Sequence, residues 1–172
     1  STLVLQPAAL YTIKNGTLNP ISGNSAFPTN RESLTIEGHG AIIERDPTLA
    51  CKLDAFEDAS EFRLLHNAIN SQITLHHVTL RNGCSDGDPA IHPETGLGGA
   101  IYNQGILAID QALFVNNIAF QGGGGLFNIG SANIMNSTFS NNSTLRDGGG
   151  LYNVGGGYLT MNFVTIAQNE VG

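Results

Sequence analysis

Side chains able to do chemistry gather in a few short stretches of this chain. Asp86, Asp88, His92 and Glu94 share one polar segment, residues 84–97. The Asp86-Gly87-Asp88 spacing with Glu94 beyond it offers hard oxygen ligands of the kind that collect Ca²⁺, without the twelve-residue pattern of a helix–loop–helix site. Asp, Gly and Pro also make turns through their own backbone preferences. The segment therefore reads equally as a turn-rich insertion, the place where binding groups collect on a rigid scaffold. Adjacent residues in a strand point to opposite faces, so His76 and His77 are not expected to chelate one ion. His39 stands between Gly38 and Gly40, as in a glycine turn. Cys51 and Cys84 could pair in an oxidising compartment or be two unrelated thiols. No Ser/His/Asp or Cys/His pattern supports nucleophilic catalysis, and no residue is assigned a catalytic role.

Composition narrows the classes. Charged residues make up 12% of the 172, about half the usual ~25%. Glycine (22) and asparagine (18) are abundant, which suits many turns and an outer face of neutral polar groups. Seven basic against fourteen acidic residues give a formal charge of −7. Nucleic-acid binding by phosphate neutralisation is therefore excluded. No apolar run approaches the ~20 residues of a membrane helix, so membrane contact is expected only through parts outside this chain. The chain opens Ser1-Thr2-Leu3, and is read as a piece of a longer secreted or surface protein.

The elements that must position these groups are set by a repeat. Gly98-Gly99-Ala100-Ile101-Tyr102-Asn103, Gly123-Gly124-Gly125-Leu126-Phe127-Asn128 and Gly148-Gly149-Gly150-Leu151-Tyr152-Asn153 are spaced by 25 residues. Phe114 and Phe139 are also 25 apart, while Phe139 to Ile166 is 27, the extra two lying in Gly155-Gly156-Gly157. Between these marks lie strand-length alternating runs such as Leu107-Ala108-Ile109, too short for helices. One such unit cannot bury its apolar face, but a stack can, each coil adding a rung at ~4.8 Å. The alignment places Ile101, Leu126 and Leu151 inward. It makes Asn103, Asn128 and Asn153 one amide ladder and Asn117, Asn142 and Asn169 another. It turns Tyr102, Phe127 and Tyr152 outward. Residues 33–45 and 62–83 carry the same grammar less regularly, interrupted by long turns at 14–31, 46–60 and 84–97. The expectation is one all-β domain over residues 1–172, a right-handed parallel β-helix of roughly six coils of about 25 residues. Residues 1–97 are irregular and 98–172 regular.

These repeats resemble the β-helix coils of the pectin-lyase-like superfamily, and most of all those of chlamydial polymorphic membrane proteins and related bacterial surface proteins. The likeness rests on a GGAI-type tetrapeptide, Gly98 to Ile101, and an FxxN tetrapeptide, Phe114 to Asn117 and Phe139 to Asn142. Later coils put Gly for Ala, Leu for Ile and, at Ile166, Ile for Phe. The clear match covers residues 98–172. The resemblance implies a solenoid shared by adhesins, autotransporter passengers, polysaccharide lyases and glycoside hydrolases, and fold does not choose among them.

The residues favour a scaffold over an enzyme. Gly38-His39-Gly40 is similar to the GHG motif of polygalacturonases, but the paired carboxylates of an inverting hydrolase and an Arg-x-Lys element are missing. A pectate-lyase-type site implies stacked outward acids on Ca²⁺, whereas the outward slots around Asp110 are read as Asn136 and Asn162. The leading expectation is a non-catalytic, adhesin- or passenger-like module at the cell surface or outer membrane, or secreted. It would have no cofactor, Ca²⁺ at Asp86, Asp88 and Glu94 being the one candidate. The partner would be a host or environmental glycan or protein, met at the loop bearing Asp86, Asp88, His92 and Glu94. The alternatives are a pectin-lyase-type carbohydrate-active or glycan-binding module, and end-to-end self-association through an uncapped end.

Overall fold

The computed structural model describes residues 1–172 except 18, 20, 22, 55, 57 and 89. Among them every regular element is a β-strand, and all pairings between strands are parallel. The widest sheet begins with β1 (Thr2–Val4) and β2 (Leu10–Ile13) against β3 (Ser33–Arg45). A second sheet stacks β4 (Leu65–Asn67), β7 (Ile101–Asn103), β11 (Leu126–Asn128) and β15 (Leu151–Asn153). In the widest sheet, β3 pairs with β5 (Gln72–Arg81). Beyond β5 the same course is split in two, as β8 (Ile106–Asp110) with β9 (Leu113–Val115), then β12 (Ser131–Met135) with β13 (Thr138–Ser140), then β16 (Tyr158–Asn162) with β17 (Thr165–Ala167). The third sheet is β6 (Cys84–Ser85), β10 (Ile118–Ala119), β14 (Ser143–Thr144) and β18 (Glu170–Val171). Parallel strands curled into three such faces fit a β-helix.

Corners explain why short strands suffice. His39, His77, Gln111, Asn136 and Phe163 all take left-handed φ between 48° and 54° at equivalent bends of the widest sheet. Asn82, Asn116, Asn141 and Gln168 take left-handed φ between 53° and 60° at the next bend. Asn tolerates this conformation through local hydrogen bonding, and four of the 18 asparagines stand at these bends. His77 is therefore an exposed corner residue and not part of a straight strand with His76. Gly38-His39-Gly40 is the same corner one rung earlier. A Cβ on Gly38 would stand 2.3 Å from the His77 carbonyl oxygen, so glycine is required by the closeness of the rungs.

Inward columns form one core. Ile36, Leu75, Ile109 and Ile134 stack in register, as do Ile43, Leu80, Phe114 and Phe139, all at 2% exposure or less. The Phe114 and Phe139 rings lie parallel, centroids 4.4 Å apart. The amide ladder is longer than the repeat alone predicts. Asn30 donates to Asn67, Asn67 to Asn103, Asn103 to Asn128 and Asn128 to Asn153, each from Nδ2 to the next Oδ1 at 2.6–3.0 Å. Asn117 to Asn142 to Asn169 forms the second column, at 2.9 Å per step. Every buried amide thus donates and accepts along the stack, so desolvating it leaves no group unpaired.

The aromatic column corrects the sequence expectation. Tyr102 and Phe127 point away from the main core yet are 2% and 7% exposed. Leu97 covers them, and with Ile129, Tyr152 and Val154 they form a second apolar cluster. The end of the 84–97 excursion folds back over this face, bridging Leu97 to Gly122, which bridges Asp147. Covering by a loop is invisible to strand alternation.

Candidate functional site

The loop that carries most of the polar chemistry is built inward more than outward. Asp86 is fully buried, and its Oδ2 accepts the Asp54 N–H at 3.1 Å. Asp88 caps its own turn by accepting from Ala90 N–H. His92 contributes its carbonyl, which accepts from the Thr95 N–H and hydroxyl. Glu94 turns the other way and accepts from Gln104 Nε2 at 2.9 Å. Asp86, Asp88 and Glu94 thus serve three different neighbours. Among the described residues no three His, Cys, Asp or Glu side chains group to hold an ion. Pro89 of this loop lies outside the described residues.

Cys51 and Cys84 are joined by a disulfide, Cα atoms 5.8 Å apart. It ties the 46–60 excursion to β6 at the edge of the third sheet. Arg45, buried at the end of β3, gathers the same excursion by donating to the carbonyls of Leu49, Ala50, Ser60 and Asn82. Glu61, also buried, accepts from the Lys52 and Asp58 N–H groups, and burial raises its pKa.

Glu94 leads to the most site-like feature. Together with Asn19, Ile21, Thr29, Arg31, His66, Ala68, Ile69 and Gln104 it lines a cleft of about 310 Å³. Its walls come from the excursions before β3 and before β7, and its floor from β4 and the turn after β7. A relay of polar contacts crosses that floor. The Thr29 hydroxyl meets His66 Nδ1 at 3.2 Å, and His66 Nε2 meets Gln104 Oε1 at 3.1 Å. Gln104 Nε2 donates both to Glu94 Oε1 and to Tyr102 Oη, at 2.9 Å each. Because the Gln104 oxygen only accepts, His66 carries its proton on Nε2 and accepts from Thr29 on Nδ1. His66 is 4% exposed and stacks on Tyr102, centroids 4.9 Å apart. Burial, then the Arg63 and Arg31 charges, lower its pKa to about 4. It is a neutral hydrogen-bonding post at ordinary pH. Burial and then the Glu94 charge push Tyr102 up to about 12. The buried Arg63 guanidinium lies 5.1 Å over the Tyr102 ring and donates to the Glu94 carbonyl at 3.0 Å. Glu94 is thus held at both backbone and side chain.

A second polar group lies on the outer face of the widest sheet. The register aligns Glu37, His76, Asp110, Met135 and Asn162 on successive rungs. His76 bridges Glu37 (Nδ1 to Oε2, 3.3 Å) and Asp110 (Nε2 to Oδ2, 3.1 Å). The residue level with Asp110 on the next rung is Met135. Asn136, at the corner, donates to Asp110 at 2.8 Å. The partners of Asp110 in this row, His76 and Glu37, come from the earlier, irregular rungs, 34 and 73 residues upstream, where a 25-residue period does not reach. With its two nitrogens engaged on opposite sides, His76 cannot share one metal ion with both carboxylates.

Sequence reasoning placed Glu94 at a site and missed Arg31, Thr29, His66 and Gln104. The available signal was Asn30: once paired with Asn67, it brings Thr29 and Arg31 beside β4.

The repeat family described as the Chlamydia polymorphic membrane protein repeat matches residues 136–154. That stretch runs from the Asn136 corner through β13 and β14 to the end of β15. Comparison with curated proteins and with solved structures returned no match.

Proposed function

We propose that this chain is a right-handed parallel β-helix of the pectin-lyase-like type, with roughly six coils. We read it as part of a bacterial cell-surface or secreted protein that binds, without catalysis, in the manner of an adhesin or passenger segment. The observation that carries this reading is the repeat match at residues 136–154. It falls on a rung whose Phe139 and Asn142 continue the stacked columns on either side. The family's name speaks of a membrane protein, and a surface location in general terms follows from that likeness. The disulfide suits an oxidising compartment. The best-formed candidate binding surface is the cleft above His66, because rigid rungs hold loop residues there from several directions. This reading requires no resident cofactor.

The row Glu37–His76–Asp110 favours a second reading, a pectin-lyase-type enzyme working on the outer sheet face. It is the weaker one. His76 bridges both carboxylates, and Arg81, the neighbouring cation on β5, is held 2.6 Å from Glu44. Binding of the purified chain to immobilised glycans and to host cells, run beside an ultraviolet assay for unsaturated uronate products, separates the two. Binding without product is expected. Product lost in a His76→Ala variant overturns the non-catalytic reading.

A further inference from the structure

Two opposite charges line the cleft without meeting. Arg31 and Glu94 both border its volume of about 310 Å³. The ion pairs among the described residues are His76 with Glu37 and Asp110, and Arg81 with Glu44. Neither Arg31 nor Glu94 is within ion-pair distance of the other or of another described charge. Arg31 is exposed on a backbone that its neighbour anchors, and Glu94 is held at its side chain as well. Arg31 follows Asn30, which donates from its backbone to the His66 carbonyl at 2.8 Å and from its side chain to Asn67 at 3.0 Å. Glu94 is held by Gln104 and, through its carbonyl, by buried Arg63.

The rest of the lining fits a small ligand that bridges them. His66 is neutral, so it adds no third charge and the lining keeps one positive and one negative group. Thr29, Asn19 and Gln104 complete the polar part of the lining. Ile21 and Ile69, 71% and 66% exposed, stand at the rim as apolar lips. The volume sits at the small end of ligand pockets, which run from ~300 Å³. A guanidinium recognises a carboxylate by paired N–H donors, and a carboxylate recognises an ammonium.

We propose that this cleft binds a zwitterion with an aliphatic side chain, a free amino acid of the leucine type, its carboxylate on Arg31, its ammonium on Glu94 and its side chain against Ile21 and Ile69. This deepens the reading of the cleft as the binding surface of the module and rests on it. A ligand bearing only one charge leaves either Arg31 or Glu94 unmatched, so the lining discriminates in favour of a zwitterion.

Calorimetric titration of the full chain with leucine, N-acetylleucine (no ammonium) and leucinamide (no carboxylate) tests the assignment. Leucine is expected to bind at least about tenfold more tightly than either analogue, a difference of about 1.4 kcal/mol. Arg31→Gln should erase the preference over leucinamide alone, and Glu94→Gln that over N-acetylleucine alone. A merely structural role would not divide the analogues in this way. Equal affinity for all three ligands, or binding of none, overturns the proposal whatever the variants do. If leucine fails while the chain still binds glycans or cells, the ligand class is wrong and the surface-module reading stands. If leucine binds with the predicted charge selectivity but no glycan or cell is bound, the ligand assignment holds and the adhesin reading fails.

Discussion

The two halves of the molecule solve the same problem differently. From residue 98 onward each rung repeats the last, and stability comes from identical groups stacked in register: Phe on Phe, Asn on Asn, glycine where rungs approach closely. Before residue 98 the rungs obey the same geometry, but long excursions leave the sheets between them. Those excursions are fastened by groups that occur once: the Cys51–Cys84 disulfide, Arg45 on four carbonyls, and Glu61 and Arg63. Repetition builds a scaffold with few exposed charges. Departure from repetition brings Arg31, His66 and Glu94 together around a cleft. The cleft lies where the two regimes meet, since Gln104 follows the first regular Asn and turns back onto Glu94.

The largest expected effect is on the repeating half. Phe139→Ala removes one ring of a stacked column and opens a cavity on a side chain with no exposure. The expected loss is about 3–5 kcal/mol in urea unfolding. A loss below about 1 kcal/mol would mean the column does not bear on the core.

The irregular half should depend on its unique fastenings. Cys51→Ser with Cys84→Ser opens a link across a sequence separation of 33, with an expected cost of about 3–4 kcal/mol on loop-closure grounds. Hydrogen exchange should accelerate in residues 46–60 and at β6, while amides of β11 to β14 keep their relative protection. Equal loss of protection in both halves would erase the distinction between them.

A smaller and pH-dependent effect belongs to His66. Its folded-state pKa, about 4, lies below the ordinary imidazole value, so the unfolded chain takes up the proton first. Its contribution is complete above the ordinary histidine range and is lost as pH falls toward about 4, by about 3 kcal/mol at most. Glu61, whose pKa is raised by burial, works in the opposite direction, so the difference between parent and His66→Gln is the informative curve. The parent's stability relative to His66→Gln should fall between neutral pH and pH 4; a constant offset contradicts the assignment.

Legibility in the sequence followed the same division. The 25-residue spacing of Tyr102, Phe127 and Tyr152 was enough to align β7, β11 and β15, to place Ile101 and Leu126 inward and to anticipate both Asn columns. Asn30 and Asn67 extend one column at separations of 37 and 36, because loops of differing length intervene, and a fixed period does not find them. Strand alternation could not tell that Tyr102 and Phe127, turned away from the core, are covered by Leu97. For the same reason it could not align Glu37 and His76 with Asp110, since register between irregular rungs is set by pairing and not by count. Among the candidate-loop residues, Glu94 alone reaches the cleft. The burial of Asp86 beneath the 46–60 excursion follows from tertiary contacts with no local signature.

The central claim is that binding chemistry resides at the loop-walled cleft and that the repeating rungs serve as scaffold. The most direct measurement is a residue-resolved NMR shift map of the full chain during titration with leucine. Shifts confined to the segments around Asn19 to Arg31, His66 to Ile69, Glu94 and Gln104 are predicted. Shifts centred on the outer face of β8, β12 and β16, or no shifts at saturating ligand, would contradict it.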